Sequence, residues 1–256
     1  MKLPLVTCVC NTRNRPRLLK RSIECFKAQT YPNKELLIAY EDDDFTTHAL
    51  LEKMGGVGIR VLRVPSKPKL TLGGLRNLAI GNTNGRLLCI WDDDDWFHTD
   101  RLTIQVNSIL SSHKPACLMA YILIFNSLEK QAYMGQMRMW EGSMMCTKAT
   151  ISKGRAYGNV DKGEDTILVD QILKNNLIYP LIRPQLYIYE FHGSNTWGIH
   201  HFDHIYRQSQ RLSVETSQMI GSILDGKYSP QEGSKLLDSR EVLSELRYVK
   251  VGLVNL

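Results

Sequence analysis

"RLLCIWDDDDW" runs from Arg86 to Trp96. An apolar run, Leu87 to Trp91, leads into four consecutive aspartates, and an aromatic pair follows. A short apolar run of this kind reads as a buried strand. Four adjacent carboxylates repel one another and need compensation. If the chain stays extended, alternation turns Asp92 and Asp94 one way and Asp93 and Asp95 the other, toward helix N-termini or solvent. Carboxylates two residues apart at a strand end suit Mg²⁺ or Mn²⁺. These hard cations take oxygen ligands, often one or two carboxylates plus phosphate oxygens. The alternative, a solvated acidic turn capping the next helix, sits poorly between a buried strand and two aromatic residues.

The same strand grammar extends to both sides. Leu5–Cys10, Glu35–Tyr40 and Ile59–Val64 read as further strands. Between them lie three helical patterns. The first has Asn14 as N-cap, Pro16 in its first turn and Leu19, Ile23 and Phe26 on one face. The second, "TTHALLEKMGG", is closed by Gly55, and the third is the glycine-opened "LGGLRNLAIG". After the aspartates, Thr99 or Asp100 caps a helix whose face is Leu102, Val106, Ile109 and Leu110. Strands alternating with helices predict an α/β fold with a mostly parallel central sheet and helices on both faces. Ligands of such sheets bind beyond the carboxyl ends of the strands. "NTRNR", Glu41–Asp44 and Asp92–Asp95 all fall there.

From Ala116 the pattern becomes mixed. "ACLMAYILIF", "QAYMGQMRMW", "SMMCTK" and "LYIYEF" read as strands, and "EDTILVDQILKNN" as a helix with Ile167, Leu168, Ile172 and Leu173 on its apolar face. No Pro/Ser/Gly linker interrupts the 256 residues. Residues 1–204 form the expected catalytic domain. Residues 205–256 form a helical extension packed on or flanking it, open to a role in acceptor binding, a homodimer contact or a membrane surface.

Composition narrows the function. Apolar content of 43% and charged content of 23% fit a globular protein. The net charge is +6. Leaving out the two acidic runs leaves 18 acidic residues against 32 basic ones, a balance of +14. A basic body with two acidic spots suits an anionic ligand bridged by a divalent cation. The basic residues are scattered, which argues against nucleic acid. Five of the six cysteines lie in apolar stretches and none forms a C-x-x-C pair. They read as reduced, buried thiols of a cytoplasmic protein. No segment has the length of a membrane span, so any membrane association would be peripheral.

Four motifs in order give a resemblance. "VTCVCNTRNRPRLLKRSIECFKAQTYPNKELLIAYEDD", "LGGLRNLAIGNTNGRLLCIWDDDDW", "GEDTILVDQIL" and "FHGSN" together resemble the family-two glycosyltransferases of the GT-A type, from Leu3 to Trp197. The resemblance implies a nucleotide-diphospho-sugar transferase fold, a nucleotide-sugar donor and inverting transfer to a hydroxyl. It further implies Mg²⁺ or Mn²⁺ and a glycan or lipid-linked acceptor of polysaccharide synthesis. Asp92 matches the aspartate that contacts the donor, and Asp94 the one that bridges the metal. Asp93, between them, joins the donor-contacting set although alternation aims it elsewhere.

Asp165 matches the catalytic base, with Glu164 beside it. The pair equally suits a helix N-terminus, where acids meet the favourable end of the dipole. His192 matches a histidine that completes the metal shell. Nucleotide contacts are expected from Thr12, Arg13, Arg15, Arg76 and either Glu41 or Asp42, with Gly73 letting the backbone approach the donor. "YEDDD" departs from the usual two aspartates and a glycine, and Asn11 replaces a usual proline. Trp96 and Trp140 are the chosen acceptor-side aromatics, from a set that also holds Glu141 and Trp197.

Two rival classes remain. A sugar-nucleotide nucleotidyltransferase would carry a glycine-rich basic loop after the first strand, and "CNTRNRP" has no glycine. A cation-dependent carbohydrate-binding module would leave Glu164, Asp165 and Arg76 idle. A zinc site at His200 and His204 lacks a third ligand at suitable spacing.

Overall fold

The computed structural model describes residues 3–152 and 155–248. Strands β1 (Val6–Asn11), β2 (Lys34–Glu41), β3 (Ile59–Val64) and β4 (Leu87–Ile90) alternate with helices α1 (Pro16–Lys27), α2 (Phe45–Met54) and α3 (Leu72–Gly81). β1 pairs in parallel with β2 and β4, and β2 with β3. β1, β2 and β4 are buried along almost their whole length, as strands covered on both faces must be.

Next come β5 (Trp96–Phe97), α4 (Arg101–Ser112), β6 (Ala116–Met119), β7 (Leu123–Asn126), β8 (Gln131–Met134) and β9 (Met145–Thr147). They are followed by α5 (Lys148–Ser152), α6 (Glu164–Lys174), β10 (Ile178–Leu181) and β11 (Tyr187–Phe191). The chain ends in α7 (Ile199–Gln208), β12 (Gln210–Arg211), α8 (Val214–Leu224), α9 (Pro230–Leu237) and α10 (Arg240–Glu245). The large sheet has the order β10-β6-β9-β4-β1-β2-β3, with β9 its antiparallel member. A second sheet, β12-β8-β7-β11-β5, stands beside it.

Two apolar clusters cover the large sheet. Leu19, Ile23 and Phe26 of α1 and Leu102, Val106 and Ile109 of α4 pack on the face that carries Cys8, Leu36 and Cys89. Ala79 and Ile80 of α3 and Leu168 and Ile172 of α6 pack on the face of Val9, Leu37 and Leu88. Each such side chain contributes roughly 1.5–3 kcal/mol relative to exposure. α6 presents less of its predicted face than its pattern implied, since Ile167 and Leu173 are exposed, as is Leu110 of α4.

Local signals were overridden where a distant partner competed. Asn14 is not the N-cap of α1. Its N–H donates to Asp44 Oδ2 at 2.7 Å, which holds it at φ 53°. Arg15 stands at the cap position without a side-chain capping bond. "ACLMAYILIF" is two strands, β6 and β7, in different sheets. The chain leaves the large sheet after Met119, and the Ala120 N–H bonds Leu181 O at the end of β10.

The predicted boundary after residue 204 falls within α7. Ile220, Ile223, Leu237 and Val242 of the later helices share the apolar cluster of β1 and α1. His98 faces Asp238 at 3.1 Å, and Ser234 Oγ accepts from the Thr99 N–H at 3.0 Å. Residues 249–256 of the predicted extension lie outside the described residues. All six cysteines are buried and unpaired. Among the described residues, no helix is long and apolar enough to cross a membrane.

Candidate active site

β4 ends at Ile90, and the four aspartates form the turn into β5. They recruit donors from several elements, and Asp93 and Asp94 share Arg15. Asp92 faces Arg76 of α3 at 3.2 Å. Asp93 accepts from Thr12 Oγ1 at 2.6 Å and lies 3.4 Å from Arg15. Asp94 accepts from Arg15 Nη1 at 2.9 Å and meets His192 Nε2 at 3.3 Å. Asp95 accepts from the Tyr187 hydroxyl and from the Glu190 N–H at 3.2 Å. Asp93 and Asp95 are therefore 3% and 1% exposed, which corrects the expectation that they face solvent or helix N-termini. Buried carboxylates need partners, and the loop after β1 and strand β11 supply them.

Asp94 titrates apart from the other three, Asp92 among them being raised by burial against Arg76. Burial and then Asp94 push Asp93 up to about 7, against Arg15 and Thr12. Burial and its acidic neighbours likewise raise Asp95 well above its ordinary value. Burial would raise Asp94 too, but His192 and Arg15 outweigh it and hold Asp94 low. Asp94 is thus the committed anion of the run.

Arg101 adds positive charge near Asp92 without touching it, a role no sequence motif signalled. It is fully buried and donates to Ile90 O at 3.0 Å. Its guanidinium lies 4.5 Å from the Phe97 ring and 5.1 Å from that of Tyr187.

Arg76 joins the run to α6. Its Nη2 faces Asp92, and its Nε lies 3.1 Å from Glu164 Oε1, although the Nε–H lacks a well-directed acceptor. Glu164 is buried against it. Burial raises the Glu164 carboxyl, and Arg76 opposes that rise. Asp165, the next residue, is half-buried and accepts from the Thr166 N–H at 2.8 Å. Both acids stand in the first turn of α6, behind Gly163 at φ +71°. Glu164 therefore braces Arg76, and Asp165 is the more open carboxylate.

One cavity gathers much of the predicted set: Arg15, Arg76, Asp92 to Asp95, Trp140, Glu164 and Asp165. Thr12 and His192 do not line it but are bonded to Asp93 and Asp94, which do. Arg13, Glu41 and Asp42 do not line it. Arg13 is ion-paired with Glu41 and lies 3.1 Å from Asp43. Asp42 accepts from the Ser66 N–H at 2.9 Å, and the Ser66 side chain and then its N–H, in the loop after β3, hold its carboxyl below the usual range.

Gly73 does not line the cavity and serves a close crossing in the fold. A Cβ there would sit 1.7 Å from Gly158 O, so glycine lets the loop before α6 cross α3. Trp96 is also corrected. It is 2% exposed, packed under Gly233 of α9, and has no face for a sugar. Trp140 keeps an edge on the cavity with Arg138 4.7 Å over its ring. The exposed aromatic at the cavity is Trp197, 36% exposed and stacked on His201 at 4.5 Å. Its place in the loop after His192 was the available signal.

Asp94 and His192 supply one oxygen and one nitrogen donor side by side. That set fits a divalent cation that takes few protein ligands and fills its shell with phosphate oxygens. Among the described residues, no group of three or more His, Cys, Asp or Glu side chains is placed to hold a metal. The His200/His204 zinc alternative accordingly gains no support.

Residues 7–180 match the family model described as glycosyl transferase family 2. The chain belongs to glycosyl transferase family 2. This membership sets aside the nucleotidyltransferase and binding-module alternatives. One relative of this family 2 chain is "UDP-Glc:alpha-D-GlcNAc-diphosphoundecaprenol beta-1,3-glucosyltransferase WfgD" of Escherichia coli. It is 22% identical over 183 residues, covering 72% of this chain and 67% of the relative. Among solved structures, S. aureus TarS 1-349 in complex with UDP-GlcNAc superposes with a TM-score of 0.63. Identity is 14%, with 94% of this chain and 78% of that one covered. The mannosyltransferase PcManGT from Pyrobaculum calidifontis, in complex with GDP-Man and Mn²⁺, gives 0.58 at 13% identity, covering 93% and 70%. The fold is GT-A, and the chain is a glycosyltransferase.

Proposed function

We propose that this glycosyltransferase moves a sugar from a nucleotide-diphosphate donor to a hydroxyl of a glycan or lipid-linked acceptor, with inversion. The observation that carries this reading is the shared cavity. It is lined by Asp94, which is bonded to His192, and by the open carboxylate of Asp165. Asp165 accepts the acceptor hydroxyl proton as that oxygen attacks the anomeric carbon, and the nucleoside diphosphate leaves from the opposite face. Arg15 and Arg76 bind and orient the anionic donor. Asp94 and His192 would hold Mg²⁺ or Mn²⁺, which supplies charge neutralisation of the leaving group.

The names of the relatives support the substrate classes. WfgD's name describes a lipid-linked diphosphate acceptor, TarS is seen with UDP-GlcNAc, and PcManGT with GDP-Man and Mn²⁺. In the same reading residues 1–204 carry the reaction and the helices beyond them buttress it. The enzyme works in the cytoplasm, at the inner face of the membrane where a lipid-linked acceptor lies.

Thermal-shift screening of UDP-, GDP- and dTDP-sugars with and without Mn²⁺ tests the donor half, because a ligand of the native state raises the melting temperature. One nucleotide series should stabilise, and more strongly with Mn²⁺. No shift with any of them would remove the donor assignment.

A further inference from the structure

The cavity has a cation that its internal pairing does not use. Arg15 faces Asp93 and Asp94, Arg76 faces Asp92 and Glu164, and Arg138 faces Glu141. Lys162 lines the same cavity and is exposed. Among the described residues it has no carboxylate partner. Its ammonium lies 5.5 Å from the centre of the Trp197 ring. Two segments meet in that contact: the loop before α6, three residues ahead of Asp165, and the loop after β11, beyond His192.

The pair bridges two sides of the cavity: Trp197 shares the loop of His192, where Arg15 donates to Ser194 O at 2.8 Å, and Lys162 precedes Asp165. The Asp94, His192 and Arg15 cluster suits the donor diphosphate, whereas Lys162 belongs to the segment that carries the candidate base. A group near Asp165 meets the acceptor. An ammonium over a half-exposed indole is weakly held, and a phosphate offers it a charge-assisted hydrogen bond instead. The stacked His201 ring keeps the indole oriented, and burial and Arg138 hold that imidazole below its ordinary pKa.

We propose that Lys162 and Trp197 form an acceptor subsite for a sugar bearing an anomeric phosphate or diphosphate. The ammonium takes the phosphate, and the indole face it leaves packs on the acceptor sugar. This rests on the transferase reading above and deepens it, since it names the acceptor class.

The test compares two acceptors of the same sugar, N-acetylglucosamine, with the donor found in the thermal screen. One acceptor is an alkyl diphosphate and the other a neutral alkyl glycoside. Wild type should prefer the diphosphate in kcat/KM. Lys162→Ala should cut that preference on the order of tenfold, and Lys162→Arg should restore most of it. An unchanged preference in Lys162→Ala overturns the proposal. So does weaker UDP binding with no change in preference, which would assign the ammonium to the donor.

Calorimetry with N-acetylglucosamine 1-phosphate in the presence of UDP reads the subsite without turnover. Binding lost in Lys162→Ala and weakened in Trp197→Ala supports it. Equal binding by wild type and Lys162→Ala, or none by either, overturns it. The subsite and the transferase reading can therefore fail separately.

Discussion

Thr12 donates a 2.6 Å hydrogen bond to Asp93 across 81 positions of sequence. That bond ties the loop after β1 to the turn after β4, beyond the end of the β1–β4 ladder. Asp93→Ala should leave the Thr12 hydroxyl buried without an acceptor and cost about 1–3 kcal/mol of stability. Asp93→Asn keeps an acceptor and should cost less. Asp94→Ala should instead abolish the Mn²⁺-dependent part of the donor's thermal shift. Urea denaturation and thermal shift on the three variants separate the roles. Equal loss of metal response in Asp93→Asn and Asp94→Ala would return the run to an undifferentiated acidic patch.

The acids of α6 should part in the same way. Asp165→Asn should lower kcat by about 10²–10⁴ and leave UDP affinity nearly intact, because a base acts in the chemical step. Glu164→Gln removes the charge that braces Arg76 and should weaken donor binding as well. Steady-state kinetics with calorimetric UDP titration checks both. Full turnover by Asp165→Asn would take that residue out of the mechanism.

A methyl group at Gly73 should be poorly tolerated although Gly73 does not line the cavity. The added Cβ meets Gly158 O, a backbone atom, at 1.7 Å. Either α3 or the loop before α6 must shift, at a cost of roughly 1–3 kcal/mol. Because α3 carries Arg76 and the loop leads to Asp165, kcat should fall with stability. A Gly73→Ala protein with wild-type melting and turnover would show that the crossing is looser than described.

At the far end of the sheet, Glu35 sets a pH dependence away from the active site. Burial alone would raise its carboxyl. Hydrogen bonds from Thr7 at 2.6 Å and from the Asn84 N–H at 3.1 Å, with Arg60 nearby, outweigh burial and hold it low. A depressed carboxylate contributes stability that is complete above its unfolded pKa, about 4.3. That stability is lost as pH falls through the lower folded value. Wild type should therefore lose more stability than Glu35→Gln between pH 6 and pH 3. Parallel urea midpoints for the two proteins over that range would contradict the assignment.

Residues whose environment is local were legible in the chain itself. β3 and α3 have the bounds their patterns predict, and Gly55 closes α2 through its N–H to Leu51 O. The aspartate run after a buried strand was identifiable for the same reason: strand periodicity and turn chemistry act over a few neighbours. The motif order likewise carried the family and the fold.

Tertiary structure decided what those side chains face. Glu41 to Asp44 dissolved into separate tasks: partners for Arg13, a clamp on Ser66 and the N-cap of α2. Asp95 found Tyr187 on a strand that enters the second sheet from 92 positions away. Trp96 went into the core and Trp197 to the cavity, although composition treats them alike. For the buried, long-range pairings among these the cause is desolvation. Burial forces a charged or polar group onto whichever partner the fold brings near, and that partner lies tens of residues beyond the reach of any local pattern.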